Sequence, residues 1–179
     1  MGRERSRVPR GACLNTAAAG GVVLRPPKIP RSVLVVIFTD DGQTLLIERA
    51  DYPGFWQSVT GSQDEGESFA ETAAREVAEE TGFRAADFGG LIDLDYESVY
   101  CIYPRWRYRY PPSTTHNRER CFALRLPSTL TPTLAPREHV AWQWLPFAAA
   151  AKTATSWSNA AVFDALSVKI AALRCSPSS

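Results

Sequence analysis

Hydrophobic positions change their spacing several times along the chain, and each change marks an element. SVLVVIF, Ser32 to Phe38, is an unbroken apolar and β-branched run of the kind buried on both faces of a sheet, so it predicts a central strand. Asp40, Asp41 and Gly42 supply turn chemistry, and QTLLIER reads as the returning strand of a hairpin. WQSVTG looks like a third short strand ended by Gly61. Four further strand candidates follow, LIDLDYESVY, RWRYRY, CFALRLP and HVAWQWL, with Pro111 and Pro112 among the turn residues between them. Near the end the spacing becomes helical: Val162, Phe163, Leu166, Ile170 and Leu173 recur on one face after the polar Ser156 to Asn159. A mixed sheet with one central and one terminal helix predicts an α/β/α sandwich.

Composition narrows this further. The 179 residues suit one domain, and 45% hydrophobic content is ample for a continuous core. Twenty Lys and Arg against nineteen Asp and Glu leave a net charge of +1, which gives no global field for nucleic acid or an acidic membrane, so neither is expected as a partner. Cys13, Cys101, Cys121 and Cys175 are scattered and read as reduced cytoplasmic thiols. Only His116 and His139 occur, which excludes a multi-histidine zinc site, and His139 reads as structural. Residues 1–27 combine an Arg-rich start with small residues and prolines and predict a flexible extension; Asn15 and the glycines interrupt it too often for a signal sequence. The domain is expected over 28–174, followed by a short tail at 175–179. No stretch has the apolar length to span a bilayer.

The informative segment is GSQDEGESFAETAAREVAEETGF, Gly61 to Phe83. Ser68 followed three residues later by Glu71 forms a capping box, and Gly82 suits the position after a helix end, so a helix is expected over 69–81. At about 100° per residue, Glu80, Glu76 and Glu79 fall roughly 20°, 60° and 120° from Ala73 on one side. Like charges so arranged cost a few tenths of a kcal/mol per pair. Arg75 can neutralise Glu79, but Glu76 and Glu80 lie close to the apolar stripe, where an unpaired charge costs far more. A bound divalent cation resolves the conflict. All-oxygen ligands favour Mg²⁺, with Mn²⁺ as a substitute, over zinc.

The same segment resembles the signature of the Nudix hydrolases at every position: Gly61, five residues, Glu67, seven residues, then Arg75, Glu76, Val77, Glu79, Glu80, Gly82 and Phe83. The resemblance implies a Nudix α/β/α sandwich in which this segment forms a loop-helix-loop. It makes Glu76, Glu79 and Glu80 metal ligands, has Gly61 contribute backbone at the loop, and gives Glu67 and Arg75 the task of orienting the site. The metals would act in cleavage of a phosphoanhydride by in-line displacement.

Outside that segment, PRSVLVVIF, DYPGFWQSVTGS, RWRYRYPPSTTHNRE, EHVAWQWLP and TSWSN resemble the bacterial dihydroneopterin triphosphate diphosphatases, a folate-synthesis group within the Nudix enzymes. That likeness implies a small triphosphate substrate contacted by Lys28, Arg49, Thr60, the Tyr100, Cys101, Ile102, Tyr103 stretch and Ser156. It makes Glu138 a further metal-binding carboxylate. Cationic side chains meeting phosphate and aromatic faces covering a flat ring make these roles chemically reasonable. Two alternatives stay open: a diphosphatase for dATP or oxidised deoxynucleotides, and a silent nucleotide-binding module, although the latter should have lost glutamates that are all present here. The N-terminal extension and the Thr131 to Pro136 loop have no counterpart in that likeness, which assigns no oligomeric state.

Overall fold

The computed structural model describes residues 26–163 and residue 166. Most of the expected N-terminal extension, together with Ile170, Leu173 and the tail at 175–179, lies outside the described residues.

Strand β1 (Arg31–Thr39) is the axis of the molecule, and every residue from Val33 to Phe38 is buried. Strand alternation sends Val33, Val35 and Ile37 to one face and Leu34, Val36 and Phe38 to the other. Two separate cores result. The first is closed by helix α1 (Phe69–Thr81) through Ala73 and Val77. The second is closed by the short helix α2 (Phe147–Thr153) through Ala150, and by helical residues 157–163 and 166 through Val162, Phe163 and Leu166. This is the expected α/β/α sandwich. The expected terminal helix is present but begins at Trp157, inside the polar Ser156 to Asn159 segment that was expected to precede it, and α2 adds a helix that the apolar spacing did not disclose.

The sheet is mixed. Strand β1 runs antiparallel to β2 (Gln43–Arg49) across the predicted hairpin and parallel to β6 (His116–Leu126), in register from Arg31↔Arg118 to Thr39↔Leu126. Outside β6 lies β5 (Ile92–Cys101), and β7 (His139–Pro146) pairs with β2.

Two expectations need correction. WQSVTG is not one strand: β3 (Trp56–Gln57) pairs with β2, whereas β4 (Val59–Ser62) pairs with the opening half of β1 and continues past Gly61. The chain crosses between these partners at Ser58, whose buried N–H donates to Asn159 Oδ1 at 2.7 Å. RWRYRY is not a strand either. Pro104–Arg109 forms a 3₁₀ helix, with Trp106 N–H donating to Tyr103 O and Tyr110 N–H to Arg107 O. Pro104 fixes the backbone at its start, and these local bonds satisfy groups that a strand could satisfy only against a neighbouring edge. The Thr131 to Pro136 loop also gains a place: Thr133 N–H donates to Thr81 O, and Leu130 and Leu134 pack on the first core, so the loop covers the end of α1.

Replacing Asn159 by Ala would leave the buried Ser58 N–H without its acceptor, a loss of about 1 to 3 kcal/mol. Thermal denaturation should show Tm lower by roughly 2 to 4 °C per kcal/mol for a domain of this size, and an unchanged Tm would show that the crossing does not depend on this bond.

Candidate active site

Helix α1 starts and stops where its sequence dictates. Ser68 and Glu71 form the reciprocal capping box, and Gly82 closes the helix in the left-handed conformation at φ 73°. That registration fixes which carboxylates face inward. Glu76 and Glu80 are buried, while Glu79 is exposed. Gly61 in β4 passes directly beneath Glu76. A Cβ on Gly61 would stand 1.8 Å from the Glu76 carboxyl carbon, so this glycine is required by close approach.

Arg75 binds the segment into one network. Its Nε and Nη2 donate to the two carboxylate oxygens of Glu67 at 2.7 and 3.0 Å. Its Nη1 donates to Glu76 at 2.8 Å and to Glu79 at 3.1 Å, and its Nη2 also reaches Ser62 O at 3.1 Å. Paired in this way, Glu67 has its carboxyl drawn down to about 2 by Arg75. Glu76 behaves oppositely. Burial and the neighbouring Glu80 push its carboxyl up to about 7, even though Arg75 works against the rise. Burial raises Glu80 as well.

Glu80 faces a second group. Its Oε2 accepts the Thr60 N–H at 3.2 Å, and its Oε1 lies 3.1 Å from His139 Nε2. That distance suits an ion pair, but neither ring nitrogen of the buried His139 has a hydrogen-bond partner in alignment among the described residues. Glu138 is anchored by its backbone, with its carbonyl accepting from Ala50 N–H at 2.8 Å, and its side chain is exposed. Ligand atoms of Glu80, Glu138 and His139 all lie within 4.8 Å of one another.

Beside this group lies a cavity. Its lining includes Lys28, Arg49, Thr60, Tyr100, Ile102, Tyr103 and Ser156, so residues from five separate stretches of the chain meet there. Lys28 and Ser62 also border a second depression that contains Glu76 and Arg75, and Lys28 Nζ donates to Ser62 Oγ at 3.0 Å. Burial and then Arg109 hold the Lys28 ammonium below its ordinary value. Aromatic faces form one wall: Trp106 meets Phe55 edge-on at 6.4 Å and Tyr103 at 5.3 Å.

A model of the NUDIX domain matches residues 28–166 of the chain. The chain is 42% identical over 134 residues to the dihydroneopterin triphosphate diphosphatase of Escherichia coli K12, which covers 74% of this chain and 88% of that protein. It belongs to the Nudix family. The protein of the same description from Haemophilus influenzae is 36% identical over 132 residues, covering 73% of this chain and 82% of its own length. In three dimensions the chain matches the structure of the E. coli dihydroneopterin triphosphate pyrophosphohydrolase with a TM-score of 0.73 at 39% identity, over 78% of this chain and 96% of that one.

Nudix membership implies a divalent cation, and the donor set fits one. Buried carboxylates that neighbouring charges leave under-compensated are stabilised by a cation, and oxygen donors suit a hard one. Not every expected residue sits alike. Glu76 and Glu79 both lie outside the Glu80, Glu138 and His139 group, Glu76 buried and Glu79 exposed, and both are paired with Arg75. Arg49 lines the cavity but donates to both oxygens of Asp51 at 2.8 Å. Cys101 does not line the cavity; its exposed Sγ lies 3.2 Å from His116 Nε2, because strand alternation turns it away from Tyr100 and Ile102. His139, read from sequence as structural, stands within the acidic group. Trp106 and Glu119 line the cavity without having been singled out; Arg109, which the alternation of RWRYRY equally allowed as an exposed strand residue, lines it as well. Glu119 had a legible signal, a carboxylate on the inward side of an alternating strand, but the strand was expected to begin only at Cys121.

Gly61→Ala should displace Glu76 and lower turnover by about 10²-fold, the scale that a 1 Å misplacement can carry, with a fold still cooperative in thermal melts. Wild-type turnover in this variant would remove the steric role of Gly61. Stability should also depend on pH. A carboxyl whose folded value is raised from 4.5 to about 7 favours the folded state below about pH 4.5 and loses that contribution as pH rises through 7. Glu67, depressed to about 2, contributes in full above its ordinary 4.5 and loses that contribution only as pH falls toward 2, so it does not change between pH 5.5 and 8. Saturating Mg²⁺ should therefore raise Tm more at pH 8 than at pH 5.5, and an increment independent of pH would contradict this account of Glu76 and Glu80.

Proposed function

We propose that the chain hydrolyses dihydroneopterin triphosphate to dihydroneopterin monophosphate and pyrophosphate, a step of folate synthesis, with Mg²⁺ as its metal and Mn²⁺ as a substitute. The observation that carries this reading is the convergence of Lys28, Thr60, Tyr100, Ile102, Tyr103 and Ser156 on one cavity that adjoins Glu76 across Lys28 and Ser62. Relatives at 36–42% identity bearing that activity in their names support the substrate.

In this reading Glu76, Glu80 and Glu138 hold the metal, and Glu79 stands at its solvent side. When bound, the metal supplies Lewis-acid stabilisation of phosphoryl oxygens and lowers the pKa of a water. The chain's own residues do the rest. Arg75 fixes Glu76 against β4 and keeps Glu67 ionised. Lys28 and Arg109 bring positive charge into the cavity; the two repel each other there, and a polyphosphate relieves that repulsion. Phe55, Tyr103 and Trp106 offer faces to a flat bicyclic ring.

A release assay over dihydroneopterin triphosphate, dATP and oxidised deoxynucleotides, separating pyrophosphate from orthophosphate, tests the assignment. The expected result is pyrophosphate release with at least a tenfold higher kcat/KM for the pterin, about 1.4 kcal/mol. Equal or better efficiency with dATP at matched Mg²⁺ would make this a nucleotide-pool enzyme. Glu80→Gln should lose about 10³-fold in turnover, several kcal/mol of transition-state stabilisation, while still melting cooperatively. Full turnover in saturating Mg²⁺ would remove Glu80 from the metal site.

A further inference from the structure

One end of the cavity is not accounted for by metal or phosphate. Strand β6 alternates across the sheet, so that Asn117, Glu119 and Cys121 are buried while Arg118 is exposed. Glu119 stands opposite Ser32 of β1 and Ser98 of β5, on the face that carries Leu34 and Cys121, away from α1. It is only 3% exposed, yet it lines the cavity. One of its oxygens, Oε2, accepts a long bond of 3.5 Å from the Tyr100 hydroxyl, and Oε1 has no hydrogen-bond partner among the described residues. Asn117 is in the same condition: its amide N–H groups go to Ser32 Oγ and to Tyr100 Oη, and its Oδ1 has no partner among the described residues.

A carboxylate in such a place is expensive. Burial pushes Glu119 up to about 7, although hydroxyls of Ser158, Tyr100, Ser98 and Ser32 temper the rise. No cation pairs with it among the described residues, and packing alone would be served by an apolar or amide side chain. The hydroxyls leave Glu119 Oε1 without an aligned donor among the described residues, and a pair of N–H donors delivered by a ligand would relieve the cost.

Resting on the pterin triphosphate reading of this cavity and extending it, we infer that Glu119 determines specificity for the ring: its carboxylate accepts two parallel N–H bonds from an edge that carries an amino group beside a ring N–H. That is the 2-amino-4-oxopyrimidine edge, which dihydropterins and guanine share. Adenine offers an amino group beside a ring nitrogen lone pair, so one carboxylate oxygen would face a lone pair instead of a donor. A site built to hydrogen-bond an edge rejects an analogue lacking it far more strongly than an apolar slot does.

Steady-state kinetics on wild type and Glu119→Gln with dihydroneopterin triphosphate, dGTP and dATP at matched Mg²⁺ test the inference. The Gln side chain keeps the size but turns one acceptor into a donor. The kcat/KM ratio of the pterin over dATP should fall at least tenfold, the dGTP over dATP ratio should fall with it, and the change should appear chiefly in KM. Glu119→Asp, which keeps both acceptors, should retain more of each ratio. Uniform slowing on all three substrates, or unchanged ratios, would overturn the inference, since a purely structural role cannot tell the edges apart. A wild type that favours dATP over the pterin would instead remove the substrate reading, and the dGTP to dATP ratio would still report on Glu119. Should Glu119→Gln fold poorly, competition on the wild type decides: 7,8-dihydroneopterin and guanosine should inhibit more strongly than adenosine, and equal inhibition by the three would refute the role.

Discussion

Two carboxylates on the buried side of one helix set the terms for everything around them. Glu76 and Glu80 lie a turn apart against β4, where burial raises both, Glu80 adds to the cost of ionising Glu76, and Glu138 adds to that of Glu80. The surroundings compensate in graded ways. Arg75 reaches Glu76 from one side while Glu67 holds Arg75 in place, and the Thr60 N–H and His139 meet Glu80 from the other. Gly61 has no side chain because the Glu76 carboxyl occupies the space. The capping box, the left-handed Gly82 and the loop around Thr133 keep the helix from sliding along its axis, which would carry the wrong residues inward.

The sheet divides the labour between its faces. On β4, Val59 belongs to the core beneath α1, and Gly61, on the same side, receives Glu76, whereas Ser62 meets Lys28. Ser32 and Glu119 stand in register on the opposite face, where Ser158 and Asn159 also reach the cavity. A ligand in this cavity meets Lys28, Arg49 and Arg109 together with hydroxyls, amides and the buried Glu119, while Glu76 lies in the adjoining depression that shares Lys28 and Ser62. The crossing at Ser58 carries the chain from alongside β2 to alongside β1 and brings Gln57, Thr60, Gly61 and Ser62 to the cavity lining.

Aromatic and cationic groups of the cavity lining come from a segment whose pattern misled. RWRYRY alternates as a strand would, yet it folds as a 3₁₀ turn that sets Trp106 against Phe55 and Tyr103 and stacks Arg105 over Trp106 at 4.7 Å. Alternation is a property of side chains, but a strand also needs an edge to pair with, and Pro104 together with local hydrogen bonds removes that need.

What the chain's order of residues determined by itself was local and periodic. The two-faced burial of β1, the bounds of α1 from Ser68, Glu71 and Gly82, and the inward arc of Glu76 and Glu80 all follow from spacing, because a helix and a strand repeat at fixed angles and caps act over three or four residues. Family signature and flanking motifs added a reading of the chemistry. Only the tertiary structure decided that Gly61 is a matter of clearance under Glu76, that His139 joins Glu80 and Glu138, and that Cys101 turns away while Ile102 lines the cavity. It alone brought Glu119 to the cavity, 63 residues after Trp56 and 37 before Ser156. Such placements depend on strand register and on which neighbour each strand pairs with, and a one-residue slip would reverse every face. That information lies in contacts between distant segments, and no window along the sequence contains it.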